Sequence, residues 1–308
     1  MRSLFAKKLT DMAKVNENIV LLSGDIGNRM FDEFKNIASD RFINCGIAES
    51  NMMSTAAGLA LSGLRPFVYT ITPFLTIRCL EQIKIGVAYH KAPVVIVGTG
   101  SGLSYGELGP THHSLDDLSL LGSIPDIRIL APCDPNELSS QLEQSLNYNG
   151  PTYIRIGKKG EPNLYSPESE YQIGKANIIK EGHDTTLLGI GPVLGEAAKA
   201  SEMLAQQSIS LKLVSMGSYR PLDESFLSNL LTNNFISTWF TLEEHCINNG
   251  FGSSIARWLE LNDLKRRIRL IRIGTPNEFI HNLGNQEFLR DAYGLSSEGI
   301  AKTVINEI

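Results

Sequence analysis

Residues 45–63 read Cys-Gly-Ile-Ala-Glu-Ser-Asn-Met-Met-Ser-Thr-Ala-Ala-Gly-Leu-Ala-Leu-Ser-Gly. The run before them, Arg41-Phe42-Ile43-Asn44, is short and apolar and reads as a strand. The stretch itself predicts a helix over 48–62, rich in small residues: Ser54, Ala56, Ala57, Gly58 and Ala60. Small side chains let a helix sit close to its neighbour, at some cost in propensity for Gly and Ser. One carboxylate, Glu49, stands at the start of that helix, where the helix dipole favours negative charge. A strand running straight into a close-packed helix, with an acid at the junction, is the unit on which the surrounding sequence is built.

Outward from this unit the pattern repeats. A helical period covers residues 3–15 and is followed by the strand Ile19-Val20-Leu21-Leu22, which ends in Ser23-Gly24-Asp25-Ile26-Gly27. Further strands are expected at 66–71, 93–97, 127–130 and 152–156, with helices at 74–89 and about 136–146. Alternation of this kind predicts a mostly parallel sheet covered on both faces. Ligands of such sheets bind at the carboxyl ends of the strands. Asp25, Glu49, Phe74, the loop from Gly98 to Gly109 and Arg155 all fall at or just past strand ends, which gathers them along one edge. The glycine-laden loop allows close backbone approach to a ligand. It is not a phosphate-cradling Walker loop, because no Gly-Lys-Ser/Thr follows. His112 and His113 are adjacent, so they point in different directions, and no third ligand stands nearby; no metal is expected on this chain.

Composition narrows the function classes. The chain has 308 residues, 42% hydrophobic and 20% charged. That is ordinary for a globular protein and ample for two domains. A net charge of -5 and a pI near 5.7 argue against nucleic acid, since no basic domain is present to neutralise phosphates. Cys45, Cys79, Cys133 and Cys246 are far apart, without C-x-x-C or zinc spacing, and read as reduced thiols of a cytoplasmic protein. The first residues enter an amphipathic pattern directly, unlike a signal peptide. No apolar run approaches membrane-spanning length.

Several motifs then carry a resemblance. Gly46-Ile47-Ala48-Glu49-Ser50-Asn51 and Gly58 to Phe67 resemble the pyrimidine-binding domain of transketolases. So do Phe74-Leu75-Thr76-Ile77-Arg78 with Glu81-Gln82-Ile83, and Gly106-Glu107-Leu108-Gly109-Pro110-Thr111-His112. Beyond a polar linker at 161–170, helix and strand signals at 185–191, 193–206, 209–214 and 239–243 follow. Glu243-Glu244-His245 and Asn249-Gly250-Phe251-Gly252-Ser253 resemble the transketolase C-terminal domain. The resemblance implies an α/β chain of two doubly wound domains. Residues 1–165 would be a thiamine diphosphate-binding, pyrimidine-type domain, and 166–308 a transketolase C-terminal domain.

The family's residues carry over as follows. The resemblance implies that Glu49 meets the pyrimidine ring nitrogen of thiamine diphosphate and that Phe74 stacks on the ring, with Asp25 and Arg78 also at the cofactor. It implies that His112 contacts the substrate's hydroxyls and that Arg2 and Arg155 bind its phosphate, for which a guanidinium fork is suited. Taken alone, Asp25 also reads as a strand-end turn, Arg2 as a surface charge and Glu243-Glu244-His245 as structural. Two departures stand out: Leu108 where the family has an aspartate, and Gly100 where it has a phosphate-binding histidine. Both point to a modified sugar substrate. The diphosphate signature of the family's amino-terminal domain is absent. The resemblance therefore implies a separate diphosphate-binding partner subunit, magnesium held mainly by that partner, and a heterotetramer containing a dimer of this chain. The alternatives are the beta subunit of a 2-oxo acid dehydrogenase, a deoxyxylulose-phosphate synthase-like enzyme, or a non-catalytic scaffold.

Overall fold

Strands buried on both faces must be apolar at successive positions, and the first strand is: Ile19 and Leu21 face one core, Val20 and Leu22 the other. A computed structural model of the chain describes residues 1–308 except 166–168, 234–235 and 263–267. In order, the first half contains α1 (Arg2–Val15), β1 (Ile19–Ser23), α2 (Asp32–Ile37), β2 (Phe42–Asn44), α3 (Glu49–Leu61), β3 (Arg65–Ile71) and α4 (Thr72–Thr76). It continues through β4 (Val95–Thr99), α5 (Asp117–Gly122), β5 (Arg128–Leu130), α6 (Pro135–Leu146) and β6 (Thr152–Ile156). The second half contains β7 (Asn177–Lys180), β8 (Thr185–Gly189), α7 (Leu194–Gln206), β9 (Leu211–Ser215), β10 (Ser218–Arg220) and α8 (Glu224–Asn233). It ends with β11 (Thr238–Cys246), α9 (Phe251–Asn262), β12 (Arg269–Thr275), α10 (Gln286–Ala292) and α11 (Ser297–Glu307).

The strands form two sheets, of order β10-β5-β6-β4-β3-β1-β2 and β12-β11-β8-β9-β7. All pairings are parallel except at two edges, where β10 runs antiparallel to β5 and β7 antiparallel to β9. The expected mostly parallel α/β fold is what the chain adopts. In the first sheet, α1 and α6 bury Phe5, Leu9, Leu138 and Leu142 on one face. On the other face α3 buries Met52, Met53 and Ala56. That second core runs on without a break into Leu188, Trp239 and Phe251 of the second half.

One expectation changes. The single helix predicted over 74–89 is broken: α4 ends at Thr76, turns follow, and Gln82–Ala88 is a π-helix. Pro73 starts the first piece, and the carbonyl freed at Arg78 accepts from Ser50 Oγ of α3 at 3.0 Å. Here a side chain from a neighbouring helix takes over a backbone partner, which is how such breaks are tolerated. The expected boundary between 165 and 166, inside the linker predicted over 161–170, falls at 166–168, outside the described residues. The two sheets are in any case not separated by one cut, because β10 from the second half forms the edge of the first sheet. Its approach is anchored by Ala131 N donating to Gly217 O and Gln141 Nε2 to Gly217 O, both at 2.9 Å.

One buried charge cluster joins the halves. Arg155 on β6 is 1% exposed, and its Nε lies 2.9 Å from Asp117 Oδ2, itself fully buried. Tyr153 donates its hydroxyl to the same oxygen at 2.7 Å. The other end of the guanidinium donates to Ser114 O at 3.2 Å and to Glu244 O at 3.3 Å, reaching from the first half into the second. Removing one member of such a pair leaves an uncompensated charge in a dry site. Asp117→Asn keeps the shape and removes the charge. We expect it to lower the unfolding free energy by about 3–5 kcal/mol in urea titrations; a loss of well under about 1 kcal/mol would show that the pair is solvated in solution.

Candidate active site

The site begins where β2 hands over to α3. Glu49 is the first residue of α3 and is 4% exposed. Its Oε2 lies 2.7 Å from Arg78 Nη1. Its Oε1 has no hydrogen-bond partner among the described residues. Arg78 occupies the turn that breaks the 74–89 helix, and its guanidinium carbon lies 4.5 Å from the centroid of the Phe74 ring. Phe74 in turn meets the His112 ring edge to face, centroids 5.1 Å apart. Tyr105 follows at 6.1 Å from His112. Glu49, Arg78, Phe74, His112 and Tyr105 therefore form a continuous row drawn from three separate segments.

The row borders a cleft of about 740 Å3 between the halves. Phe74, Arg78, Thr111 and His113 line it from the first half, and Cys246 and the 276–280 segment from the second. Much of the lining is apolar, including Ile77, Leu115 and Phe279. His113 is buried, with Nδ1 unpartnered. Among the described residues no group of three or more His, Cys, Asp or Glu is placed to hold a metal ion.

His112 is held within its own loop. Its Nδ1 lies 2.9 Å from Thr111 Oγ1, and that hydroxyl donates to Leu108 O at 3.5 Å. Either group can be the donor of the 2.9 Å contact, according to the ring's tautomer. Burial holds the imidazole below the ordinary histidine value, which favours the neutral ring at neutral pH.

Asp25 and Arg2 lie in a second cleft, of about 520 Å3, with Lys35 and Asn44. Asp25 accepts from Asn44 Nδ2 at 3.3 Å, and Arg2 Nε donates to Tyr69 Oη at 3.1 Å. Gly24 is required beside them, since a Cβ there would stand 2.8 Å from Thr70 Oγ1. The structure thus brings Glu49, Arg78, Phe74 and His112 together in one row and Asp25 with Arg2 in a separate cleft. It does not bring Arg155 to either. The expected phosphate-binding role of Arg155 gives way to the buried pair with Asp117, which leaves its charge neither accessible nor free.

The Glu243-Glu244-His245 run is structural. Glu243 accepts from Phe251 N and Gly252 N at 2.6 and 2.8 Å and so caps α9. Glu244 accepts from Leu103 N at 2.7 Å and from Arg290 Nε at 2.6 Å, holding the glycine loop onto the second half. Burial pushes His245 down to about 4, a neutral ring at neutral pH.

The same arrangement is met in known proteins. Residues 1–161 match the family described as transketolase, pyrimidine binding domain, and residues 174–300 match transketolase, C-terminal domain. This chain belongs to the transketolase family. It is 33% identical over 311 residues to the putative transketolase C-terminal section of Methanocaldococcus jannaschii, covering 100% of this chain and 96% of the relative. It is 33% identical to one of the subunits of the apulose-4-phosphate transketolase of Phocaeicola vulgatus, over 99% of this chain and 96% of that one. A solved structure described as a split gene transketolase, inactive beta4 tetramer, superposes with a TM-score of 0.86 at 29% identity, covering 99% of this chain and 96% of that one.

In this transketolase chain the residue types fit the aminopyrimidine half of thiamine diphosphate. A buried carboxylate with one unpartnered oxygen, a ring of Phe74 and an adjoining cleft are the donor set such a heterocycle needs. The sequence motifs led to Glu49, Phe74, Arg78 and His112 but passed over Tyr105 and Thr111, which lie in the same quoted loop. The signal available was position alone: Thr111 adjoins His112, and Tyr105 is the aromatic among the loop's glycines. The measurement that checks the electrostatics is an NMR titration of the His112 ring. Its midpoint is expected below the ordinary value of 6.5; a midpoint above it would mean a carboxylate reaches the ring in solution.

Proposed function

We propose that this chain is the C-terminal subunit of a split transketolase that moves a two-carbon ketol unit from a ketose donor to an aldose acceptor. The observation that carries the reading is the row from Glu49 to His112, in which a carboxylate and an aromatic ring adjoin a neutral imidazole. Glu49, through Oε1, and Phe74, through its ring, would hold the pyrimidine of thiamine diphosphate. That cofactor, when bound, supplies the acidic thiazolium carbon as the nucleophile toward the ketose carbonyl. Arg78 fixes Glu49 by its other oxygen and lies against Phe74, so it positions both, and Asp25 stands in the separate cleft. Burial of Glu49 at the start of α3 keeps its proton exchange local, away from water. His112 turns Nε2 to a hydroxyl of the sugar, hydrogen-bonding it and orienting it without adding charge. Arg2, beside that cleft, suits an anionic group on the substrate.

The diphosphate and its magnesium ion fall to a partner subunit in this reading, and the assembly is two copies of each chain, working in the cytoplasm. Large exposed apolar side chains, Ile47 two residues before Glu49 at 82% and Phe279 on the cleft at 77% exposed, support a surface that is covered in the working enzyme. The substrate is proposed to be a modified sugar. Leu108, 52% exposed, presents an apolar side chain where the resemblance places a carboxylate, and a relative named for apulose 4-phosphate supports a departure from the ordinary sugar phosphates.

The test combines binding and turnover. Calorimetry with thiamine diphosphate and magnesium should give tight binding for this chain plus its partner and none for this chain alone. Glu49→Ala in the assembled complex should lower kcat/KM by roughly a hundredfold or more. Unchanged activity would move the chain to the scaffold reading.

A further inference from the structure

A pocket of about 540 Å3 opens at the other end of the first sheet from Glu49 and His112. Those two residues follow the carboxyl ends of β2 and β4. This pocket lies at the amino end of β5, whose first residue is Arg128. β10 runs antiparallel to β5 and sets Arg220 beside Ile129, so the second half contributes Arg220 and Pro221 to the same walls. The volume is that of a site for a small organic ligand.

Two guanidiniums are held in place here before anything binds. The Arg128 guanidinium carbon lies 3.5 Å over the centroid of the Tyr148 ring. Contact with an aromatic face restrains the side chain and leaves its N–H fork unused; the fork has no acceptor among the described residues. Tyr148 is held in turn by Arg65, whose Nη1 donates to Tyr148 O at 2.8 Å. Arg220 donates from Nη1 to Ile124 O at 2.6 Å and from Nη2 to Gly122 O. It thereby fixes the loop that forms the rim of the pocket.

The charges of these groups are not balanced. Arg65, Arg128 and Arg220 have no ion-pair partner among the described residues. Burial pushes Arg65 below its ordinary value, and no carboxylate compensates it. Among the described residues the one acid on the lining is Asp126, which is exposed and faces Lys91 Nζ at 3.9 Å. The rest of the lining is largely apolar, with Ile124 and Ile127 buried beneath Pro125 and Pro221. A carboxylate entering here would offset one of three cations. A phosphate monoester carries about -1.5 to -2 at neutral pH, and its oxygens match a guanidinium fork in pairs.

We propose that this pocket is a second binding site of the chain, for a phosphate monoester carried on a compact aromatic or apolar body. Arg128 is its direct partner, and Tyr148 is the residue that positions Arg128. The occupant bridges the loop before β5 and the end of β10, so it tightens the edge at which the second half joins the first sheet. The site is independent of the chemistry at the row from Glu49 to His112.

The experiment uses the full chain with three probes: phenyl phosphate, benzoate and inorganic phosphate. Binding is followed by calorimetry and by the arginine Nε–H signals in 15N NMR. Phenyl phosphate should bind with a Kd of about 1 mM or below. It should bind at least about fivefold tighter than benzoate, which has the ring but a single charge, and than inorganic phosphate, which has the charge but no ring. The Arg128 Nε–H signal should move on binding. Arg128→Met should weaken phenyl phosphate by about tenfold or more. Tyr148→Leu keeps every charge and removes only the ring under Arg128; it should weaken the same probe by at least about threefold. Where Arg128→Met fails to fold, as read from its Tm, Tyr148→Leu carries the test. No binding to the wild-type chain, binding indifferent to the substitutions, an unmoved Arg128 signal, or benzoate held as tightly as phenyl phosphate would each overturn the inference.

Discussion

A guanidinium placed between two sheets has to be neutralised and hydrogen-bonded, or it will not stay there. Arg155 meets that demand with three groups at once: the Asp117 carboxylate, the Ser114 carbonyl and the Glu244 carbonyl. Two of these partners sit just after the histidine pair of the glycine loop, and the third is at the end of β11. Satisfying one buried charge therefore locks the loop bearing Tyr105 and His112 against the second half. Glu244 reinforces the lock from its other side, accepting from Leu103 N and Arg290. The loop can afford many glycines because its two ends are held by these contacts.

From that fixed frame the site follows by short steps. The strand-to-helix junction puts Glu49 at a helix start, where the dipole favours it. The broken helix after β3 turns Arg78 back toward Glu49 while leaving Phe74 at the cleft. A continuous α-helix over 74–89 would keep the Arg78 carbonyl engaged internally; the break frees it, and Ser50 of α3 takes it. The small residues of α3 make this proximity possible, with the π-helix so close that a Cβ at Gly86 would lie 3.6 Å from Ala57 Cβ.

Much of this architecture was legible in the sequence, because apolar runs buried on both faces and glycine-ended strands carry their own geometry. The segments that became β1, β3, β4, β6, α3 and α6 all follow from period and punctuation. The edge strands β7 and β10 did not show: Asn177–Lys180 and Ser218–Arg220 begin and end in polar residues, so neither stands out as an apolar run. The break in the helix after β3 was hidden because apolar spacing at Leu80, Ile83 and Val87 suits either helix geometry. Local motifs led to Glu49, Phe74, Arg78 and His112 as neighbours. They misplaced Arg155, since a strand-end arginine looks the same whether its partner is a ligand or a buried carboxylate elsewhere in the chain. Tyr105 was passed over although it is the aromatic among the loop's glycines, because only the folded loop sets its ring 6.1 Å from His112.

The antiparallel addition of β10 to the first sheet has a mechanical consequence. The chain leaves the first sheet after β6, builds three strands of the second, and returns to close the first sheet's far edge before going back. The halves are laced rather than linked. A hinge between them would need to break the β10–β5 pairing and the Glu137, Gln141 and Arg220 contacts that flank it. Relative motion of the halves therefore has to work against these contacts, which lie on the far edge of the first sheet from β2.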